Sequence, residues 1–286
     1  MEKKVNFSLI LATYGRHKEI KDFLDSICKQ EYSLKEVEVI VVDQNDKINL
    51  DELIESYRSR IDITHIKSNI KGLSVNRNIG LDLAKGNIVA FPDDDCTYYP
   101  DTLRLVANLF NESPSTDIFM GSIFDRKTSS DVLRKWPKKR LIINKWNFFR
   151  LISSITIFSK VNSQRFDAEL GVGGQYGSNE DADYIYRSLK QGAAIIYDSD
   201  LTIWHPEQND KNISKSKAYS YGLGFGALVA KHHTVDMHIL FIKSIIYHTL
   251  KLTSSLIRLD INPVKMRASA ISSRISGYFI YKKHRG

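Results

Sequence analysis

Three consecutive aspartates, Asp93, Asp94 and Asp95, follow an apolar run at residues 88–91 and a proline. Carboxylates crowded at one strand end repel each other, and their hard oxygens favour a divalent cation such as Mg2+ or Mn2+. A solvated acidic turn is the plain alternative, because Asp is common in turns and Pro100-Asp101 is an ordinary helix start. A second acidic pair, Glu180-Asp181, precedes a stripe of Ala182, Ile185, Tyr186 and Leu189, which puts it in the first turn of a helix. There a carboxylate can take a proton from a reacting hydroxyl, or simply cap the helix, since Ser178 with Asp181 has the spacing of a capping box. His205 closes a short apolar run at residues 201–204. At a strand end a neutral imidazole is a further metal ligand, although a lone histidine is more often structural.

The elements that must position these groups are read from hydrophobic spacing. Residues 6–12, 37–42, 61–66 and 88–91 read as strands, and Ile20, Phe23, Leu24 and Ile27 form the stripe of an amphipathic helix. Helices are also expected around residues 50–60 and 73–84. This alternation indicates an α/β fold, a mostly parallel sheet flanked by helices on both faces. Such sheets bind ligands beyond the carboxyl ends of their strands. Three of those ends are polar here, at residues 13–16, 43–46 and 93–95. Further strands are expected at 117–124, 155–158, 194–197 and 201–204, with a helix through Leu103, Val106, Ala107 and Phe110. The basic, aromatic stretch 125–150 reads as a solvated loop in preference to a ligand-facing lobe. The glycine-rich passage 171–177 has the wrong spacing for a dinucleotide fingerprint and reads as a mobile loop.

At 286 residues with 42% hydrophobic and 26% charged content, the chain is long enough to bury a core and is not disordered in composition. Two cysteines, Cys28 and Cys96, make no disulfide framework and fit a reducing cytoplasm. Neither a signal-peptide pattern at the start nor an apolar run of membrane-spanning length is present. The net charge of +8 is concentrated at one end. Residues 231–286 hold ten of the 41 basic residues and two of the 33 acids, so the rest is balanced at 31 of each sign. That imbalance belongs to a tail, so the overall basicity is poor evidence for nucleic-acid binding by the body, and the tail has no recognisable nucleic-acid motif.

With these residues in place, the chain resembles the family 2 glycosyltransferases, nucleotide-sugar-dependent enzymes of the GT-A fold. Ala12-Thr-Tyr-Gly-Arg16 is similar to the family's first-strand turn, Val41-Val-Asp43 to its second-strand acid, and the stretch from Gly72 to Gly80 to its helix over the nucleotide. Asp93-Asp-Asp95 resembles the DXD motif, Glu180-Asp181 the ED motif, and Trp204-His-Pro206 the strand end that follows it. Gln44 departs from the pattern where an acid is common, and Asn45 where glycine often stands. The resemblance implies a nucleoside-diphosphate sugar donor, with a UDP-sugar favoured, a glycan or lipid-linked acceptor, and an Mn2+ or Mg2+ ion. It implies that Thr13, Tyr14, Arg16 and Asp43 contact the nucleoside, that Arg77 approaches the diphosphate or holds the pocket, and that Asp93 and Asp94 lie near ribose or sugar. Asp95 would ligate the metal with Asp93 and His205, and Asp181 would be the catalytic base, with Glu180 positioning it or binding the acceptor. Inversion in cell-surface polysaccharide assembly is the family's implied outcome; a catalytically silent binding or scaffold protein is the competing reading, against which the intact Asp93, Asp95 and Asp181 speak. Trp136, Trp146, Tyr176 and Trp204 are candidates for stacking on a sugar, with core packing equally expected of each.

The expected division is a glycosyltransferase domain over residues 1–214, with a nucleotide half to about 100 and an acceptor half beyond, and a helical extension over 215–286. Gly222, Gly224 and Gly226 interrupt the first tail helix, which suggests close packing. Beyond them, apolar residues mixed with Lys243, Lys251 and Arg258 read as basic amphipathic helices suited to an anionic membrane surface, where each Lys or Arg adds about 1 kcal/mol. The expected location is therefore cytoplasmic, peripheral on the membrane's inner face. Packing of the tail on the body or on another subunit of a homo-oligomer is the competing expectation.

Overall fold

The computed structural model describes residues 6–206 and 215–285. Its elements run β1 (Phe7–Thr13), α1 (Lys18–Cys28), β2 (Val37–Asp43), α2 (Asp51–Glu55), β3 (Asp62–Lys67), α3 (Leu73–Leu83), β4 (Ile88–Ala90) and β5 (Thr97–Tyr98). They continue α4 (Thr102–Glu112), β6 (Ile118–Asp125), β7 (Ser130–Asp131), β8 (Leu141–Ile142), α5 (Phe148–Leu151), β9 (Ile157–Lys160), α6 (Glu180–Lys190) and β10 (Ile195–Trp204). Three helices close the chain: α7 (Lys215–His232), α8 (Val235–Ile257) and α9 (Ile261–Arg285). By contact density the chain divides into two units, Met1–Phe166 with Tyr184–Gln208, and Asp167–Asp183 with Asn209–Gly286.

The first unit holds a sheet in the order β3-β2-β1-β4-β9-β6-β10-β5. The run from β3 to β4 is parallel, β9 is antiparallel to both its neighbours, and β10 is parallel to β6. Strands β1 and β2 are buried along their whole length, so they carry continuous apolar runs instead of alternation. Register aligns Thr13 with Asp43 at their carboxyl ends. Helix α3 approaches β1 closely because position 80 has no side chain: a Cβ there would stand 2.3 Å from Ile10 Cγ2. The two strands expected at 194–197 and 201–204 are one strand, β10, whose register against β6 shifts between Tyr197 and Thr202. Between the end of β6 at Asp125 and residue 150, β7, β8 and the first residues of the one-turn α5 are the regular elements. Trp136 is nevertheless buried there, its ring stacked 6.4 Å from that of Tyr197.

The second unit is built on small residues. A Cβ at Gly222 would meet Ser273 Oγ at 1.9 Å, one at Gly226 the Arg274 carbonyl at 2.0 Å, and one at Gly277 the Leu223 carbonyl at 2.0 Å. Helices α7 and α9 therefore touch backbone to backbone, and the interrupting glycines serve this crossing. Gly224 likewise admits the backbone of residues 176 and 178. The passage 171–177 is thus packed, not the mobile loop expected from its composition. Tyr176 is buried in it and joins Leu170, Ala227, Ala230 and Tyr281 in a core cluster. Lys231 bridges Asp167 at 2.5 Å and the buried Asp183 at 2.7 Å, and His232 Nε2 lies 2.9 Å from the same Asp183 oxygen.

Candidate functional site

The three polar strand ends expected to hold a ligand do meet in the first unit. Beyond β1, Thr13 Oγ1 donates to Asp94 Oδ2 at 2.9 Å and the Tyr14 N–H points at the same oxygen at 3.4 Å. Arg16 Nη2 donates to Asp95 Oδ2 at 3.1 Å, with its Nε 3.7 Å from Asp94 Oδ1. Beyond β2, Asp43 is buried; its Oδ1 accepts from the N–H and the side-chain amide of Asn45 at 2.8 and 2.7 Å, and its Oδ2 lies 3.1 Å from His65 Nε2. Burial works against charge on Asp43, but the His65 and Asn45 hydrogen bonds win and hold its carboxyl below the usual range.

The residues at the two departures from the family pattern join neighbouring turns. Asn45 Oδ1 accepts the Gly15 N–H at 2.6 Å, and Gln44 Oε1 accepts the Gly72 N–H at 2.9 Å, just before α3. That helix presents Arg77, buried at 1% exposure, whose Nη2 donates to Asp93 Oδ1 at 2.7 Å and to Ser154 Oγ at 3.1 Å. Its guanidinium carbon lies 5.4 Å from the Phe166 ring centroid. Phe166 in turn stacks on Tyr184 and meets Phe91 edge-on. An aromatic floor therefore fixes the arginine that orients Asp93.

His205 reaches this cluster through β5. The turn of Asp94 and Asp95 leads into Thr97–Tyr98, which pairs antiparallel with the end of β10 so that Thr97 faces Trp204. Asp95 and His205 then fall beside each other, Nε2 to Oδ1 at 3.2 Å. The hydrogen bond from His205 holds Asp95 below the usual carboxylate range against the pull of burial. Burial opposes charge on His205, yet Asp95 and the Pro206 carbonyl raise it. Burial, with Asp93 and Asp95 nearby, pushes Asp94 up to about 6 despite the Thr13 bond. Cys96 is fully buried, and burial raises its thiol well above the ordinary value, as for a packed residue.

Donor atoms of Asp93, Asp95 and His205 lie within 4.8 Å of one another, and this is the metal-capable group found among the described residues. Two carboxylate oxygens and an imidazole nitrogen suit Mn2+ or Mg2+. His205 Nδ1 lies 2.8 Å from the Pro206 carbonyl, so a proton on Nδ1 has an acceptor, and once Nε2 gives up the proton it shares with Asp95 its lone pair is free for a cation. These residues fit the ion.

Glu180 and Asp181 open α6 and belong to the second unit. Glu180 is buried and Asp181 half-buried, its Oδ1 accepting the Ala182 N–H at 2.7 Å. The expected capping box gives way to another arrangement. Asn179, at φ 68, precedes the helix, and the Ser178 hydroxyl lies 3.3 and 3.4 Å from the carbonyls of Ser220 and Tyr221. Among the stacking candidates, Trp136 and Tyr176 are core residues, Trp204 is half-buried and Trp146 is exposed. Sequence reasoning missed His65 and Ser154, and it noted Asn45 as a departure without seeing that it ties Gly15 to Asp43. A histidine near the polar end of β3 was the available hint, but only strand order sets it against Asp43.

Comparison with known proteins agrees with this architecture. The poly(ribitol-phosphate) β-N-acetylglucosaminyltransferase TarS of Staphylococcus aureus is 32% identical over 113 residues, 39% of this chain and 20% of that protein. The glucosyl-dolichyl phosphate glucuronosyltransferase of Haloferax volcanii is 28% identical over 119 residues, 41% of this chain and 37% of that protein. The matched stretch thus spans about a fifth to a third of such relatives. Among solved structures, residues 1–349 of S. aureus TarS superpose with a TM-score of 0.62 at 17% identity, covering 98% of this chain and 92% of that one. The mannosyltransferase PcManGT of Pyrobaculum calidifontis, solved with GDP-Man and Mn2+, gives 0.64 at 14% identity, covering 96% and 88%. These likenesses show the fold. The sequence profile of Glycosyl transferase family 2 matches residues 8–166, more than half of the chain, and the protein therefore belongs to that family.

Proposed function

We propose that this chain transfers a sugar from a nucleoside-diphosphate sugar, a UDP-sugar in the first instance, to a hydroxyl of a glycan or lipid-linked acceptor in cell-surface polysaccharide assembly. The observation that carries the reading is the meeting of Asp93, Asp95 and His205 beside Arg16 and Thr13 at the carboxyl ends of the strands. TarS has been solved with UDP-GlcNAc, which supports the choice of uridine nucleotide.

Each residue has a role its surroundings suit. Asp93, Asp95 and His205 would hold Mn2+ or Mg2+, which when bound supplies positive charge to the diphosphate as the nucleoside diphosphate leaves. Arg77 and Arg16 orient the two aspartates. Thr13, Tyr14 and Asp43 hold the nucleoside, and His65 keeps Asp43 ionised and fixed. Asp94, with its raised affinity for a proton, faces ribose or sugar as a hydrogen-bonding group. Asp181, aided by Glu180, accepts the proton of the acceptor hydroxyl while its oxygen bonds to the anomeric carbon and the bond to the diphosphate breaks. A single displacement of this kind inverts the anomeric centre.

Calorimetry and transfer assays on two variants test the reading. Asp95→Ala should lose Mn2+-dependent binding of UDP. Asp181→Asn should bind UDP-sugar as the parent does and lose transfer by 100-fold or more, on the order of a general base's contribution. Parental transfer rates in Asp181→Asn would remove its assignment, and metal-dependent binding intact in Asp95→Ala would remove the metal site.

A further inference from the structure

Helix α8 is apolar on two opposite sides. One side packs within the second unit: Met237 and His248 are buried, and the Phe241 ring stacks on Phe225 and contacts Tyr278. The other side faces solvent. At about 100° per residue, Val235, Ile242, Ile246, Leu250, Leu256 and Ile257 fall on one stripe roughly 120° wide, turned away from the packed side. Their exposures are 75, 55, 53, 64, 51 and 84%. The turn into α9 continues it with Leu259 at 85% and Ile261 at 66%. A row this long of exposed large apolar residues marks an interaction surface.

Charge says what kind of surface meets it. By the same count Lys243 borders the stripe at about 80° from its centre and Arg258, in the turn, follows at about 140°, both exposed, and Lys265 is exposed on the following helix; Lys251, at about 160°, points away from the stripe. Asp260, in the turn, is the opposing acid, and Asp236 lies at the far end of α8. Two copies packed antiparallel along this stripe, about a two-fold axis across the helices, would set basic flank against basic flank, which is unfavourable. No helix is long and apolar enough to cross a membrane among the described residues. An apolar stripe beside a basic flank instead suits a helix lying in the plane of a lipid headgroup layer.

We infer that the exposed stripe of α8 and the α8–α9 turn bind the surface of an anionic bilayer, with Ile242, Ile246, Leu250 and Ile257 entering the acyl boundary and Lys243 and Arg258 meeting lipid phosphates. This surface uses none of the residues assigned to sugar transfer, so it stands or falls separately from that chemistry.

Flotation of the full chain with lipid vesicles tests it. The parent should float with phosphatidylcholine vesicles in which phosphatidylglycerol is about a third of the lipid, weakly with pure phosphatidylcholine, and less as salt rises through the screening range. Ile246→Glu with Leu250→Glu should cut partitioning at least tenfold with the circular dichroism spectrum unchanged. Lys243→Glu with Arg258→Glu should remove the preference for anionic lipid. A parent that stays unbound with anionic vesicles overturns the inference. So does a parent that sediments as a dimer dissociated by Ile246→Glu with Leu250→Glu, since the stripe would then be a subunit contact.

Discussion

Arg77 joins the fold to the proposed metal site, and replacing it with Met separates the two contributions. Methionine keeps an unbranched stem against Phe166 but removes the guanidinium from Asp93 Oδ1 and Ser154 Oγ. Breaking a wholly buried ion pair costs about 3–5 kcal/mol, because the remaining charge is left without a partner. Here the Arg77 side chain is 1% exposed but that of Asp93 is 37% exposed, so water can solvate the Asp93 carboxylate when the guanidinium is removed. The exposed-pair range of about 0–1 kcal/mol pulls the expected loss to about 2 kcal/mol. Binding should suffer through orientation. A metal ligand deprived of its orienting partner typically loses 10–100-fold in affinity, about 1.4–2.7 kcal/mol. Urea unfolding without nucleotide reads the first quantity, and calorimetry of UDP binding in Mn2+ reads the second. Arg77→Lys, which keeps a charge but not the fork, should fall between Met and the parent. A folded Arg77→Met protein with parental affinity for UDP and Mn2+ would refute the claim that this arginine orients Asp93 for the ion.

Two further outcomes follow from the second unit. Gly226→Ala should destabilise it by about 1–3 kcal/mol even though alanine favours a helix by about 1 kcal/mol, because the new Cβ would meet the Arg274 carbonyl and Tyr278 nitrogen, which are backbone and cannot move aside; a rise in the urea midpoint would contradict the backbone-to-backbone crossing. His248, on α8, is pushed down to about 4 by burial and by Arg274 and Arg267, while an unfolded histidine titrates near ~6.5. Between those values the unfolded chain binds more protons, so stability should fall as pH drops from about 6.5 to about 4, by up to about 2 kcal/mol after allowing for water near the ring. His248→Gln should flatten that part of the pH–stability curve; an unchanged slope would show that another group causes it.

Some of this molecule is legible from residue types alone. The continuous apolar runs that end in Thr13, Asp43 and Asp93 announce buried parallel strands with polar carboxyl ends, and the aspartate triplet announces a cation-capable site. Both are local, since burial on two faces and crowding of like charges are written into neighbouring residues. The glycines at 222, 224 and 226 announce a close approach, but not its partner. Composition misled for residues 171–177, because glycine permits both looseness and tight contact; neighbours absent from the local sequence decide which.

Sequence by itself determined the element types, the strand ends and the chemistry offered at each. Only the tertiary structure decided which groups meet. His205 joins Asp95 because two residues of β5 pair with the end of β10, His65 holds Asp43 because β3 lies beside β2, and Arg77 reaches Asp93 because Gly80 lets α3 rest on Ile10. The reason is physical: side-chain periodicity is a property of a few adjacent residues, whereas strand order and register depend on how the whole core packs.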